Sequence, residues 1–143
     1  MSLSTIPDRV GIEESIMTKK IFWQNPYQTH LETKVTSVNH DVITLKETIF
    51  YALSGGQESD SGFIGSFPVI EARKNGKAIF YSLPKSHNLT IGDSVTVEID
   101  WDRRYKLMRL HFAAEVVLEL IYRDLVGVKK IGAHISAEKA RID

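Results

Sequence analysis

The sequence predicts an α+β fold, in which a small β-barrel-like part precedes a long helix and the start of an antiparallel sheet. Three observations lead to this prediction. Short β-branched and aromatic runs, separated by turn residues, fill residues 20–100. An apolar helical period, uninterrupted by proline, then covers residues 103–125. The chain of 143 residues is 43% hydrophobic and 25% charged, so it can form a core without cross-links.

The first strands are predicted from β-branched runs at residues 35–38 and 42–45, which form a hairpin around Asn39-His40. Residues 48–51 are predicted to form a third strand. That strand ends at a bend made by two consecutive glycines, which permit a sharp change of direction.

A second hairpin is predicted between residues 68–72 and 78–83, which flank Asn75-Gly76. Asn-Gly is the strongest short hairpin signal, because a type I′ turn needs a positive φ at both central positions. Residues 94–101 alternate apolar and polar side chains, and this alternation predicts a half-buried strand.

The helix is predicted over residues 103–125, because Asp100 or Asp102 can cap its start and Gly127 can end it. One face carries an apolar stripe that also contains a histidine. The stripe consists of Leu107, His111, Ala114, Leu118, Ile121 and Leu125.

We divide the chain into a flexible leader at residues 1–19, a β-rich part at 20–100 and an α+β part at 101–143. The leader is expected because this stretch is polar and chain ends are poorly ordered unless they are tied down. The last residues are predicted to form a strand, a turn and the beginning of another strand. We therefore expect the α+β part to be C-terminally truncated.

Composition excludes several classes of site. The chain has no cysteine, which removes disulfides, thiolate nucleophiles and zinc sites built on sulfur. The 18 basic and 18 acidic side chains cancel, so only a local patch of charge can attract nucleic acid. No stretch approaches the roughly 20 apolar residues of a membrane span.

The glycine bend is the first candidate functional segment. Gly55 and Gly56 allow a ligand to approach the main chain closely, and Gln57 can both donate and accept hydrogen bonds. Such a loop can hold the end of a nucleic acid or an acyl group. It can equally be a plain turn between strands, since Gly-Gly marks turns in many folds.

The helix carries the second candidate. His111 and Glu115 are one helical turn apart, so they suit two metal ligands or a base with its orienting acid. The alternative is a core histidine beside a solvated glutamate. Four cations at the start of the helix can meet phosphates or form a solvated face. These cations are Arg103, Arg104, Lys106 and Arg109.

The glycine string, the Asp100-Trp101 segment and the helix with His111 together resemble the editing domain of alanyl-tRNA synthetase and its free-standing relatives, the AlaX-type deacylases. The resemblance covers residues 20–143. The family shows the string Thr-x-Phe-Tyr-x-x-(Gly or Ser)-Gly-Gly-Gln-x-x-Asp-x-Gly. Its places are filled here by Thr48, Phe50, Tyr51, Ser54, Gly55, Gly56, Gln57, Asp60 and Gly62.

This resemblance implies a cytoplasmic hydrolase that cleaves the ester of mischarged tRNA, usually serine or glycine on alanine tRNA. It implies that Thr48 and Gln57 select the substrate beside Gly55 and Gly56. It also implies that Arg104 and its neighbours contact the acceptor end of the tRNA.

The family holds zinc by a His-x-x-x-His pair and a later Cys-x-x-x-His pair. Here His111 occupies the first place, but Glu115 occupies the second, and the cysteine pair is absent. A carboxylate can still bind zinc, so His111 and Glu115 are expected to be an incomplete metal site. We expect zinc in a complete domain and weak or absent binding in this chain.

Two alternatives remain open at this stage. One is a non-catalytic tRNA-binding module that has lost its zinc site. The other is a metal-dependent hydrolase of a small ester or amide. An unfinished sheet edge also leads us to expect a homodimer.

Overall fold

The computed structural model describes residues 16–143, and the described part consists mainly of short strands and one long helix. A 3-10 turn at Ile21–Trp23 follows the first strand. The strands and the helix, in chain order, are β1 Lys19–Lys20, β2 His30–Asn39, β3 Val42–Leu45, β4 Glu47–Thr48, β5 Gly62–Ile64, β6 Phe67–Pro68, β7 Glu71–Asn75, β8 Ala78–Ser82, β9 Ser94–Ile99, α1 Trp101–Asp124, β10 Ala133–Ile135 and β11 Ala140–Ile142.

Seven of these strands form one antiparallel sheet in the order β6-β5-β9-β2-β3-β8-β7, and the sheet curls into a half-barrel. The long strand β2 pairs with β9 along its first half and with β3 along its second half. The register of β2 against β3 shifts between Val35 and Ser37. Such a bulge bends a strand and increases its twist, so it contributes to the curl.

The main core lies inside this curled sheet. Alternate residues of the strands point inward, and the largest buried side chains include Ile43, Leu45, Phe50, Tyr81 and Val97. Phe50 and Tyr81 contact each other edge to face, with ring centroids 5.5 Å apart. The predicted α+β fold class, with its barrel-like part before the helix, is confirmed.

Both predicted hairpins are present, but three strands differ from the prediction. The strand predicted at residues 68–72 lies at Glu71–Asn75, because its pairing with β8 continues up to the turn. The third strand is shorter than residues 48–51, because side chains replace the ladder partners there: Phe50 N donates to Thr48 Oγ1 and Tyr51 N donates to an aspartate. The strand predicted over 94–101 ends at Ile99, because the next residue caps the helix.

Helix α1 begins at Trp101, and its N-cap residue Asp100 accepts a hydrogen bond from Arg103 N. Its buried apolar residues are Leu107 and Ala114, in its first two thirds, and they pack against the small antiparallel β10–β11 sheet. The predicted apolar stripe therefore faces a core along this part of the helix. Beyond Ala114 the stripe is only partly covered, since Leu118 and Ile121 are half-buried and Leu125 is 55% exposed.

The predicted leader lies mostly outside the described residues. Of its described part, Thr18 is buried and its hydroxyl accepts a hydrogen bond from Ile79 N. Within residues 16–143, the structure contains no helix that is long and apolar enough to cross a membrane.

Candidate active site

The glycine bend forms a tight loop that is fixed against strand β10. Ser54 and Gln57 exchange two backbone hydrogen bonds, and the glycines between them adopt positive φ values of 60° at Gly55 and 82° at Gly56. Gly56 O then accepts from Ile135 N at 2.8 Å, and Glu58 N donates to Ile135 O at 2.9 Å. These bonds fix the position of Gln57 relative to the helix.

The loop brings Gln57 into contact with the helix residue that the sequence singled out. Gln57 Oε1 lies 2.6 Å from His111 Nδ1, and Glu115 Oε1 lies 3.5 Å from His111 Nε2. Gln57 is buried, whereas the His111 side chain is 37% exposed. The structure therefore joins Gln57, His111 and Glu115 into one partly solvent-accessible group.

This geometry selects one tautomer of His111. An amide oxygen can only accept, so Nδ1 of His111 carries the proton that it donates to Gln57. The Nε2 atom of the neutral ring then has a free lone pair that faces the Glu115 carboxylate. Two acceptors at this separation can take a proton from a water molecule or bind a cation between them.

A second polar group flanks the loop, and of its members only Arg103 was a candidate from the sequence. Glu58 accepts from Arg103 through Oε1 at 3.2 Å, and its Oε2 lies 3.2 Å from His134 Nε2. Arg103 also donates to Ser59 O. These contacts tie the helix start, the loop and strand β10 together. In the sequence, the only indication that Glu58 belongs to the site is its position next to Gln57.

Arg104 lies in the interior. Its guanidinium donates to both carboxylate oxygens of Asp60, at 2.8 and 2.5 Å, and also to the backbone oxygens of Pro26 and Ile49. Asp60 accepts a further bond from Tyr51 N. The tRNA contact expected of Arg104 stays a prediction, and it would require this side chain to leave its partners.

Thr48 is also fully buried, behind the loop. Its hydroxyl lies 2.6 Å from Tyr81 Oη and accepts a bond from Phe50 N. Burial raises the pKa of Tyr81 well above its usual range, so its hydroxyl stays protonated and donates to Phe50 O. The structure does not bring the Thr48 hydroxyl into contact with Gln57 or His111.

We expect Tyr81→Phe to lower the free energy of unfolding by about 1–2 kcal/mol, because buried acceptors lose a donor. Because burial raises the pKa in the folded state, the unfolded chain loses this proton first, and the stabilisation declines as pH rises above 10. Urea unfolding at neutral and alkaline pH measures both effects. The exposed Tyr27→Phe serves as a control, and an equal loss in both variants would contradict the assignment.

The described residues supply few ligands for a metal ion. Among residues 16–143, no group of three or more histidine, cysteine, aspartate or glutamate side chains is arranged to hold a metal ion. His111 and Glu115 supply two donors, which is fewer than a tetrahedral zinc ion takes. The described residues therefore do not form a zinc site by themselves.

Comparison with known families decides the affiliation of the chain. The family of class II (A) tRNA synthetases matches residues 5–103, which is well over half of the sequence. The chain belongs to this family. Its relatives place it with the AlaX-type editing domains, so the resemblance stated from the sequence is confirmed.

Three relatives show how much of the family the chain represents. The alanyl-tRNA editing protein AlaX-M of Pyrococcus horikoshii is 32% identical over 131 residues, which cover 89% of this chain and 60% of the relative. AlaX-M of Saccharolobus solfataricus is 33% identical, covering 89% and 56%. The alanine--tRNA ligase of Sulfurisphaera tokodaii is 35% identical, covering 95% and 16%. The chain thus spans less than two thirds of each.

Proposed function

We propose that this chain is an alanyl-tRNA editing domain, which hydrolyses the ester between a wrong amino acid and alanine tRNA in the cytoplasm. The observation that supports this most directly is the contact between Gln57 Oε1 and His111 Nδ1 at 2.6 Å, with Glu115 on the other side of the ring. The AlaX-M relatives, whose name describes alanyl-tRNA editing proteins, support the same function.

His111 acts as a general base in this proposal. Its Nε2 lone pair takes a proton from a water molecule, and Glu115 stabilises the imidazolium that forms. The resulting hydroxide attacks the ester carbonyl carbon, and the bond from this carbon to the ribose oxygen breaks. The imidazolium returns its proton to the departing ribose oxygen, which restores the neutral ring. Gln57 keeps the tautomer fixed throughout.

Substrate selection is assigned to the loop. The NH₂ group of Gln57 can donate to the hydroxyl of a seryl group, and a site built to bind a hydroxyl rejects alanine. Gly55 and Gly56 allow the ester to approach the main chain. Thr48 stays in this proposal as a second recognition residue, which requires its hydroxyl to exchange Tyr81 for the substrate.

Zinc is part of this proposal only if ligands from outside the described residues join His111 and Glu115. These two side chains would then fill two of its coordination positions. Such an ion would position the substrate or activate water.

The other proposed partner is tRNA. The outer edge of β11 pairs with no strand of the described residues, which leaves it open to a second copy of the chain.

The incomplete donor set favours one alternative, a non-catalytic tRNA-binding module. Hydrolysis of serine-charged alanine tRNA, measured with and without added zinc, separates this module from the enzyme.

We expect Gln57→Ala to lower kcat/KM for this hydrolysis about 10–100-fold, because the general base His111 loses its orienting partner. The exposed Gln24→Ala is the matched control and should keep full activity.

The remaining outcomes each contradict part of this proposal. Binding of tRNA without hydrolysis, at any zinc concentration, would establish the non-catalytic module. Activity on small aminoacyl esters but not on charged tRNA would establish the small-ester hydrolase. Hydrolysis that is unchanged in Gln57→Ala would remove this side chain from the mechanism.

A further inference from the structure

A cleft of about 540 Å³ lies beside the glycine loop and is lined mainly by charged side chains. Arg73 and Lys74 come from strand β7, and Arg103 comes from the start of the helix. The acidic residues of its lining are Glu58 and Glu71. Cations therefore outnumber carboxylates, and Arg73 and Glu71 are only 3.8 Å apart at an exposed position, where ion pairs contribute little.

A smaller groove of about 60 Å³ lies next to this cleft, and Lys74 lines both. Its lining also contains Lys20, Trp23 and Ser54. Ser54 and Glu58 stand at opposite ends of the glycine loop, so the two grooves flank the loop that carries Gln57. A ligand lying along both grooves would therefore contact residues on either side of the glycine loop.

The two lysines of this surface are close enough to repel each other. Burial and the positive charge of Lys74 together lower the pKa of Lys20. In the part of the chain that the structure describes, neither lysine forms an ion pair with a carboxylate. The chain has no net charge, so this positive region is a local feature rather than a result of overall basicity.

The aromatic residue indicates which kind of anion fits. Trp23 is 70% exposed, and Lys20 Nζ lies 5.3 Å from the centre of its ring. Exposed aromatic rings interleaved with cations are typical of single-stranded nucleic acid binding, because bases stack on the rings while phosphates meet the cations. An acidic peptide would use the cations but would leave the indole without a stacking partner.

We propose that Lys20, Trp23, Arg73 and Lys74 form the surface that binds the single-stranded end of a tRNA and directs its terminal nucleotide to the glycine loop. We call these four residues the basic strip. The identity of the RNA rests on the proposed function, whereas the location of the surface rests on the grooves and charges described above. The strip contains neither the buried Arg104 nor its helix neighbours, to which the family resemblance assigned the tRNA contact.

Binding of uncharged alanine tRNA, measured by fluorescence anisotropy at several salt concentrations, tests the strip. We expect Arg73→Ala/Lys74→Ala to weaken Kd about tenfold and to lower the salt slope by about 1 to 2. Trp23→Ala should weaken Kd without changing the slope, because stacking releases no counterions. The control Lys129→Ala/Lys130→Ala removes the same charge from exposed positions and should leave both quantities unchanged.

The outcomes separate this inference from the editing reaction. Weaker binding in the strip variants supports the strip even if the wild-type protein shows no hydrolysis. Unchanged Kd and salt slope in both variants would overturn it, even if Gln57-dependent hydrolysis is observed. Equal competition by a polyglutamate peptide at the same charge concentration would also overturn the assignment to RNA. Thermal unfolding checks that the variants, all at exposed positions or surface strands, remain folded.

Discussion

Arg104→Met is expected to lower the free energy of unfolding by about 3–5 kcal/mol, because it leaves the Asp60 carboxylate buried without a counter-ion. The Arg104 and Asp60 side chains are 3% and 0% exposed, so water cannot replace the lost guanidinium. The same substitution also leaves the backbone oxygens of Pro26 and Ile49 without their donor. Single domains have a total stability of about 5–15 kcal/mol, so this loss is a large fraction of it.

Urea unfolding of matched variants checks this expectation. Arg103→Met is the control, because its ion pair with Glu58 is partly exposed and should contribute less than about 1 kcal/mol. If Arg104→Met does not fold, Arg104→Lys keeps the charge but loses the two-pronged contact with Asp60, and an intermediate loss is expected. A loss in Arg104→Met no larger than in Arg103→Met would show that the buried pair does not stabilise the fold.

Gly56→Ala is expected to have the second largest effect, a loss of about 3 kcal/mol from backbone strain and steric overlap together. A Cβ atom at this position would lie 2.4 Å from Ala133 O, which belongs to the backbone of β10 and cannot rotate away. The residue also has a φ of 82°, which alanine adopts only at a cost. Relief of the overlap requires the loop to separate from β10 at the bond between Gly56 O and Ile135 N.

Gly55→Ala provides the matched control. Its φ is 60°, but a Cβ atom there would meet nothing within 4 Å, so only the strain of about 1–2 kcal/mol should appear. Urea unfolding measures the difference between the variants, and deacylation measures whether Gln57 has moved relative to His111. Equal losses in the two variants would show that the loop does not depend on its close approach to β10.

The features that were predicted correctly from the sequence are those with a local cause. The hairpin at Asn75-Gly76 and the helix cap at Asp100 depend on neighbouring residues, and both are present. The expected turn type was wrong, because Gly76 and Lys77 are the central residues and Asn75 has no positive φ. Gln57 and His111 were each singled out, but their contact joins residues 54 positions apart, and no local pattern indicates it. Only the family resemblance suggested that they belong together.

The burial of Arg104 could not be predicted from the sequence for the same reason. A cation at the start of a helix has the same sequence signature whether it faces solvent or the core, and its partner Asp60 is 44 positions away. Likewise, the apolar period of the helix identifies a stripe but not what covers it. For that reason the sequence could not distinguish the buried Leu107 from the exposed Leu125.

The uneven packing of helix α1 makes its local stability uneven as well. The buried residues of the helix are Arg104, Leu107 and Ala114, and all lie in its first two thirds. We therefore expect the free energy of local opening to fall towards Asp124, with amide hydrogens there exchanging with solvent by fraying rather than by global unfolding. His111 lies between Leu107 and Ala114, about one turn before the last buried residue of the helix. A partner that binds the last turns of the helix would reduce this fraying. It would therefore lengthen the time for which the His111 imidazole stays in contact with Gln57.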